Sequence, residues 1–561
     1  MTGISDERSR PRLGGGAILP SEPQAVCSEP GPQSLTECDQ DRSNPFQNGP
    51  LAQTDHRLLL ILLAIAATLS FWMWHVGFRN AIFDSYSFRQ TQTAISARSI
   101  EQGGPFFAYE TPILGPPWSI PFEFPLYQGL AGYSARWLRA SLDETGRVYS
   151  GLFFYAILIP LYFVLRRTGV PRWHCLPFFC LLLMSPFFVF WSRTFMIESC
   201  ALFLSVSYLA LVLAVADGMP WRSCVWLAIS AAAVGALAGA VKVTTFAVFL
   251  ILAATIIARG MLQGKVEKRQ ALWLALLTCA VPFVLTSAWT HYADSLKLRN
   301  AMAADFTSSG LRTWVFGTLR QRLAVGNYLH FWEPFARFRG GPETAPVTTI
   351  VGGPAAVLAT VIALPFSRSA RAFFLCLGLW LLAILIFFNL LYIHSYYSYG
   401  NGIFLILACG YVIAGLLRRG KTFWWAGICL LAFVMGSMLT EYLAAFYPTQ
   451  RNNSTPYLAA ATMIQKVTVP ADVLLVYGQD WSSAFAYAAD RRAIMDRYGP
   501  SLRDERLQVE LAHLGKDRLG AVVACGSTRS QVDAALLHRL RFQTTPYSSV
   551  TECDIYLPER D

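Results

Sequence analysis

About eleven apolar runs, each long enough to cross a bilayer, constrain this 561-residue chain more than any other feature. They fall near 57–78, 148–165, 174–192, 195–216, 222–240, 243–259, 271–290, 347–366, 371–393, 400–417 and 423–440. Backbone in hydrocarbon must satisfy its hydrogen bonds within the segment, so runs of this length predict helices. The implied fold class is mainly α, a polytopic membrane protein. Only 14% of the residues are charged, whereas soluble domains carry about a quarter, which excludes a large soluble enzyme. The runs 222–240 and 243–259 leave room for one short turn. Its middle, Gly239 to Thr245, equally suits the tip of a re-entrant hairpin.

The formal net charge is +11, but the basic residues are dispersed in short clusters rather than gathered in a groove, which argues against nucleic-acid binding. Arg166, Arg167 and Arg172 form one cluster, and Arg259, Lys265, Lys268 and Arg269 another. Arg368 and Arg371 share a third, and Arg418, Arg419 and Lys421 a fourth. With eleven spans all four lie on one side, which the positive-inside rule makes cytoplasmic. The long connections 79–147 and 291–346, the segment 394–399 and everything after 440 then face outward.

Residues 1–56 are polar, rich in Pro, Gly, Ser and Gln, and without an apolar core, so they read as a disordered cytoplasmic tail and not a cleavable signal. The transmembrane part occupies 57–440. An external α/β domain at 441–561 follows, with strands expected at 473–477, 521–525 and 553–557 and helices near 482–489, 501–514 and 529–540. The cysteines contain no C-x-x-C pair and imply no metal site. Cys525 and Cys553 fall in the soluble tail and can pair if that tail is exported.

Chemistry-bearing residues gather at the outer ends of the runs. Phe83-Asp84-Ser85-Tyr86-Ser87-Phe88-Arg89-Gln90 lies just beyond the first run. Asp84 suits a base or an acceptor-orienting carboxylate, and equally the N-cap of a helix starting at Ser85. Arg89 and Gln90 follow on that helix, where Arg89 either meets a phosphate or snorkels to headgroups. Glu123 lies in Pro121-Phe122-Glu123-Phe124-Pro125, whose prolines fix an extended backbone and present the carboxylate. A structural salt bridge is its plainer reading. Glu198 ends the stretch after Trp191-Ser192-Arg193, and an ion pair with Arg193 is the alternative to a functional role. Lys242 offers a compact charge for a phosphate, or snorkels. His394, Tyr396 and Tyr397 lean toward a site, whereas Tyr399 reads as part of an interfacial aromatic belt. The 291–346 connection carries His291, Asp294, Lys297, Arg299 and Asn300. It continues through Trp314, Arg320, Arg322, His330, Trp332 and Glu333, a basic-aromatic pattern fitting an interfacial helix over a cavity.

These features together resemble a family. A first-loop aspartate, the stretch Gly115-Pro116-Pro117-Trp118, then Glu123-Phe124-Pro125-Leu126-Tyr127 and many spans are similar to the GT-C glycosyltransferases. More narrowly, the chain resembles the bacterial branch related to protein O-mannosyltransferases and aminoarabinose transferases of lipid A. The resemblance covers roughly 57–440 in layout, with its motifs concentrated in 79–128. It implies a GT-C fold with external loop helices, a polyprenyl-phosphate sugar donor, inversion at the anomeric centre, and Asp84 at the catalytic centre. Many relatives carry an acidic pair where this chain has Asp84 followed by Ser85. A lone aspartate argues against a tightly held divalent metal, because hard cations favour several carboxylate oxygens.

The expected activity is a polyprenyl-phosphate-dependent glycosyltransferase, moving a hexose or pentose to a lipid, glycan or protein acceptor at the outer face of a bacterial inner membrane. Asp84, Glu123 and Glu198 are the expected catalytic carboxylates. Arg89, Gln90, Arg193, Lys242, His394, Tyr396 and Tyr397 are the expected substrate contacts, with membrane lipids as surroundings and no cofactor. The alternative is a transporter or flippase for a polyprenyl-linked or polar solute. Transporters place charges near mid-bilayer and show repeated halves, and neither pattern is visible here.

Overall fold

The computed structural model describes residues 50–216, 221–331, 346–451, 458–500, 504–514 and 519–559, and residues 55–561 form one compact unit. Most of the expected N-terminal tail, Trp332, Glu333 and the start of the 501–514 pattern lie outside the described residues.

The first apolar run forms α1 (Pro50–His75), which takes in residues 50–56 of the expected tail. Two helices occupy the first long connection, α2 (Ser87–Glu101) and α3 (Leu126–Leu138). The second run becomes α4 (Leu142–Ala156) continued by α5 (Leu158–Arg167). The third splits into α6 (Leu176–Met184) and α7 (Pro186–Ser192), bent by 62° where Pro186 removes a helical donor. Next come α8 (Glu198–Ala216) and α9 (Trp221–Leu262).

The long α9 is a hairpin. Lys242 leaves helical geometry (φ −159°, ψ 93°) beside Glu198 at the start of α8, while Gly260 returns to the Ala216 carbonyl at its end. Each arm is therefore about 30 Å long, enough for a crossing. Among the described residues seven helices are long and apolar enough to span a membrane, or eight with the bent pair, so the protein is an integral, multi-pass one. Eleven is reached only by also separating the two arms of α9 and adding the shorter apolar helices Pro354–Ser367 and Ala370–Ile386.

The bundle has two chemically distinct ends. At one end His56 stacks on Trp173 at 4.4 Å, and Thr168 meets Tyr411 at 2.9 Å, bringing basic loops together. At the other, Trp74 donates to the Ser192 carbonyl at 3.2 Å and Gln450 to the Met73 carbonyl at 2.9 Å. The first connection and the C-terminal domain sit at this second end.

That domain carries a five-stranded sheet in the order β2-β1-β3-β5-β4. Its strands are β1 (Val473–Tyr477), β2 (Arg492–Asp496), β3 (Leu519–Cys525), β4 (Ser548–Val550) and β5 (Cys553–Tyr556). β1, β2 and β3 pair in parallel, and β5 pairs antiparallel with β3 and β4. The strands β2 and β4 escaped the sequence reading, one being interrupted by charges at both ends and the other only three residues long. Cys525 and Cys553, in register across β3 and β5, form a disulfide. The first connection completes the sheet. Ala493 and Met495 donate to the Pro112 and Ile113 carbonyls at 3.0 and 2.9 Å, so residues 112–114 cover the edge of β2.

Asp496 ends β2 and is 1% exposed; burial pushes its carboxyl up to about 6, opposed by the Tyr498 amide. A carboxyl raised in the folded state contributes stability at low pH and loses it as pH rises through 6. From an unfolded value of 3.8 the swing amounts to ~3 kcal/mol. Asp496→Asn is expected to flatten the pH dependence of thermal unfolding between pH 4 and 7; an unchanged slope would assign that dependence to other groups.

Candidate functional site

The site assembles where α2, the α7–α8 turn, the tip of the α9 hairpin and the segment 394–397 converge. α2 is built of Ser, Arg, Gln and Thr, yet Arg89 through Ala97 are all buried. A polar helix is stable in such a place only if its side chains find partners, and here they do.

Asp84 is not the helix cap. α2 starts at Ser87, with Tyr86 as N-cap in the left-handed region (φ 53°) and without a side-chain cap bond. This turn swings the Asp84 carboxylate inward, where it is 2% exposed. One oxygen accepts from Gln90 and the other from Arg193, while Arg147 stands 4.0 Å away. Gln90 in turn accepts from the Phe195 amide at 3.1 Å, tying α2 to the α7–α8 turn. Arg147 also binds the Phe78 carbonyl at 2.7 Å and the Asn80 carbonyl, fixing the approach to Asp84. The expected alternative pairing of Arg193 with Glu198 does not form.

Glu198 instead takes both oxygens to Lys242, at the start of α8 where the helix dipole favours an anion. Lys242 is buried at the hairpin tip and lies over the ring of Tyr397 at 4.2 Å and near Tyr396 at 5.4 Å. It does not snorkel. Nor does Arg89, which pairs with Glu123 and bonds Gln92 at 2.6 Å. Glu123 is the most open of the three carboxylates, its side chain 20% exposed. Arg89 is within electrostatic reach of Glu198, and Lys242 of Glu123, so the two pairs form one cluster.

Aromatic rings close it. Tyr86 meets Tyr396 at 4.9 Å, His394 at 5.5 Å and Trp191 at 5.6 Å, and Trp314 from the second long connection reaches His394 at 5.6 Å. Tyr399 is not part of an interfacial belt: it is fully buried and shares a hydrogen bond with Ser199 at 3.0 Å. The ten residues expected as catalytic carboxylates or substrate contacts thus lie in this neighbourhood. Arg147, Gln92 and Tyr86 were missed. Arg147 falls one residue before the apolar run read as 148–165, whereas α4 starts at Leu142 and carries it inside.

Four cations (Arg89, Arg147, Arg193, Lys242) and three carboxylates (Asp84, Glu123, Glu198) lie together in a buried setting, and Asp143, one turn before Arg147 on α4, is within electrostatic reach of it. The Nε donors of Arg89, Arg147 and Arg193 are buried without a hydrogen-bond partner. Unspent guanidinium donors favour an anion, and guanidinium geometry favours a phosphate. Each carboxylate is committed to its own cation, and among the described residues no group of three or more His, Cys, Asp or Glu side chains is arranged to hold a metal ion.

No protein-family model and no curated protein sequence matches the chain. Solved structures do. ArnT from Cupriavidus metallidurans bound to undecaprenyl phosphate superposes with a TM-score of 0.54 at 11% identity, covering 88% of this chain and 97% of that one. Its apo form gives 0.52 at 12% identity with the same coverage. The archaeal oligosaccharyltransferase AglB from Archaeoglobus fulgidus, in complex with an inhibitory peptide and a dolichol-phosphate, gives 0.51 at 13% identity, covering 83% of this chain and 69% of that one. The chain has the GT-C fold.

Proposed function

We propose that this GT-C protein is a glycosyltransferase that moves a sugar from a polyprenyl-phosphate donor to an acceptor at the end of the bundle carrying the C-terminal domain. The observation that carries the reading is the buried cluster of four cations and three carboxylates at that end. The likeness to ArnT and AglB, solved with undecaprenyl phosphate and dolichol-phosphate, supports the class of donor.

In this reading Arg89 and Lys242 hold the donor phosphate, with His394, Tyr396 and Tyr397 around it. Glu123 and Glu198 keep the two cations in place before the phosphate arrives. Asp84 keeps its bonds to Gln90 and Arg193, and its remaining lone pairs accept from the acceptor hydroxyl or amine. As the acceptor atom bonds to the anomeric carbon from the opposite face, the carbon–oxygen bond to phosphate breaks with inversion. The acceptor proton passes to Asp84, and the electron pair stays on the phosphate, whose charge the cations stabilise. Polyprenyl phosphate leaves.

We place this end outside a bacterial inner membrane. The Cys525–Cys553 disulfide favours an oxidising compartment, and the four basic loops favour the cytoplasm for the opposite end. The test is a purified preparation given a radiolabelled polyprenyl-phosphate sugar and candidate lipid, glycan and peptide acceptors. Acceptor-dependent release of polyprenyl phosphate is expected. Uptake of label into proteoliposomes without bond cleavage would overturn the reading in favour of a transporter.

A further inference from the structure

We infer that Trp481, supplied by the C-terminal domain, is a positioning residue that holds Arg89 and Glu123 in register. The inference rests on the reading of these residues as part of the transfer site. Trp481 stands in the loop after β1, and the shape of that loop is fixed by its neighbours. Gly478 has φ +81°, and a Cβ there would meet the Cys525 carbonyl oxygen at 2.2 Å. Asp480 is also left-handed (φ 49°), so the loop turns sharply and delivers the indole toward the membrane part.

The half-buried indole meets three rings: Phe88 at 4.6 Å, Phe122 at 5.6 Å and Phe306 at 4.4 Å. Phe88 directly precedes Arg89, and Phe122 directly precedes Glu123. One side chain thus touches the neighbours of both members of an ion pair whose partners are 34 residues apart. It does so without bonding either charged group. Ser483, two residues on, reinforces the contact by bonding Thr91 at 3.0 Å and the Phe88 carbonyl at 3.3 Å.

The other end of the Glu123 segment is held as well. Residues 112–114 pair with β2, and Asn300 donates to the Leu114 and Gly115 carbonyls at 3.2 and 2.8 Å. Trp481 therefore closes the open side of a segment already anchored upstream. A phosphate shared by Arg89 and Lys242 needs Arg89 placed to a fraction of an ångström. A displacement of ~1 Å in a transfer site costs about 10²-fold in rate.

The test compares Trp481→Ala, Trp481→Leu and Trp481→Phe in the full-length protein. The Ala and Leu variants are expected to lose about 10²-fold in kcat with little change in donor KM. The Phe variant keeps a ring in the gap and is expected to recover most of the rate. Amide hydrogen exchange of residues 86–92 and 120–126 should quicken in the Leu variant and stay protected in the Phe variant. Unchanged exchange in a folded Leu variant, or full kcat without the ring, would overturn the inference. If the wild-type protein transfers no sugar, the proposed function falls, and the exchange comparison still decides whether Trp481 orders these two loops.

Discussion

Asp84→Asn is expected to lower sugar transfer by at least ~10³-fold while binding of polyprenyl phosphate tightens. Both directions follow from the geometry. The variant removes the carboxylate that would receive the acceptor proton, and takes one negative charge from the surroundings of the phosphate position. It also leaves Arg193 buried without its counter-ion, a change that costs ~3–5 kcal/mol when one member of a buried pair is removed. Fold and function are separated by Asp84→Asn/Arg193→Gln, which removes both charges together. This double variant should melt near the wild-type temperature and still transfer no sugar. Full transfer by folded Asp84→Asn would mean that the carboxylate is not needed.

Lys242→Met should be the most destabilising single change at the hairpin tip. Glu198 would remain as a buried carboxylate without its cation, again at ~3–5 kcal/mol. Affinity for polyprenyl phosphate should fall about 10²-fold, the size of one hydrogen bond between charged groups. The double variant Lys242→Met/Glu198→Gln removes one cation and one carboxylate, so the net charge of the site stays that of the wild type. Its melting temperature should recover and its affinity should not. Recovery of both, measured by thermal melting and native mass spectrometry, would show that Lys242 contributes only through net charge.

The sequence made the residues of this site legible but not their partners. Asp84, Arg89, Glu123, Glu198 and Lys242 stood out because ionisable groups beside apolar runs are costly unless used. Which carboxylate meets which cation depends on the left-handed turn at Tyr86 and the reversal at Lys242. Neither has a distinctive signature, since Tyr86 is not a residue type expected with positive φ. The helix α2 reads as soluble and exposed by composition, and only tertiary contacts reveal it as buried. The apolar runs located most membrane helices. Their count stayed ambiguous where proline bends a helix at Pro186 or where apolar segments fall short of a full span. In the C-terminal domain the buried strands β1, β3 and β5 were visible as apolar runs. Trp481 was not, because its role comes from Phe88 and Phe122, which it meets across more than three hundred residues.

Arg89 and Lys242 are proposed to share the donor phosphate. A cryo-electron microscopy structure of the protein with undecaprenyl phosphate tests it most directly. The phosphate is expected between the two cations, within ~2.7–3.2 Å of Arg89 and Lys242 nitrogens, with the Lys242–Glu198 pair loosened. A phosphate seated elsewhere, with both ion pairs intact, would contradict it.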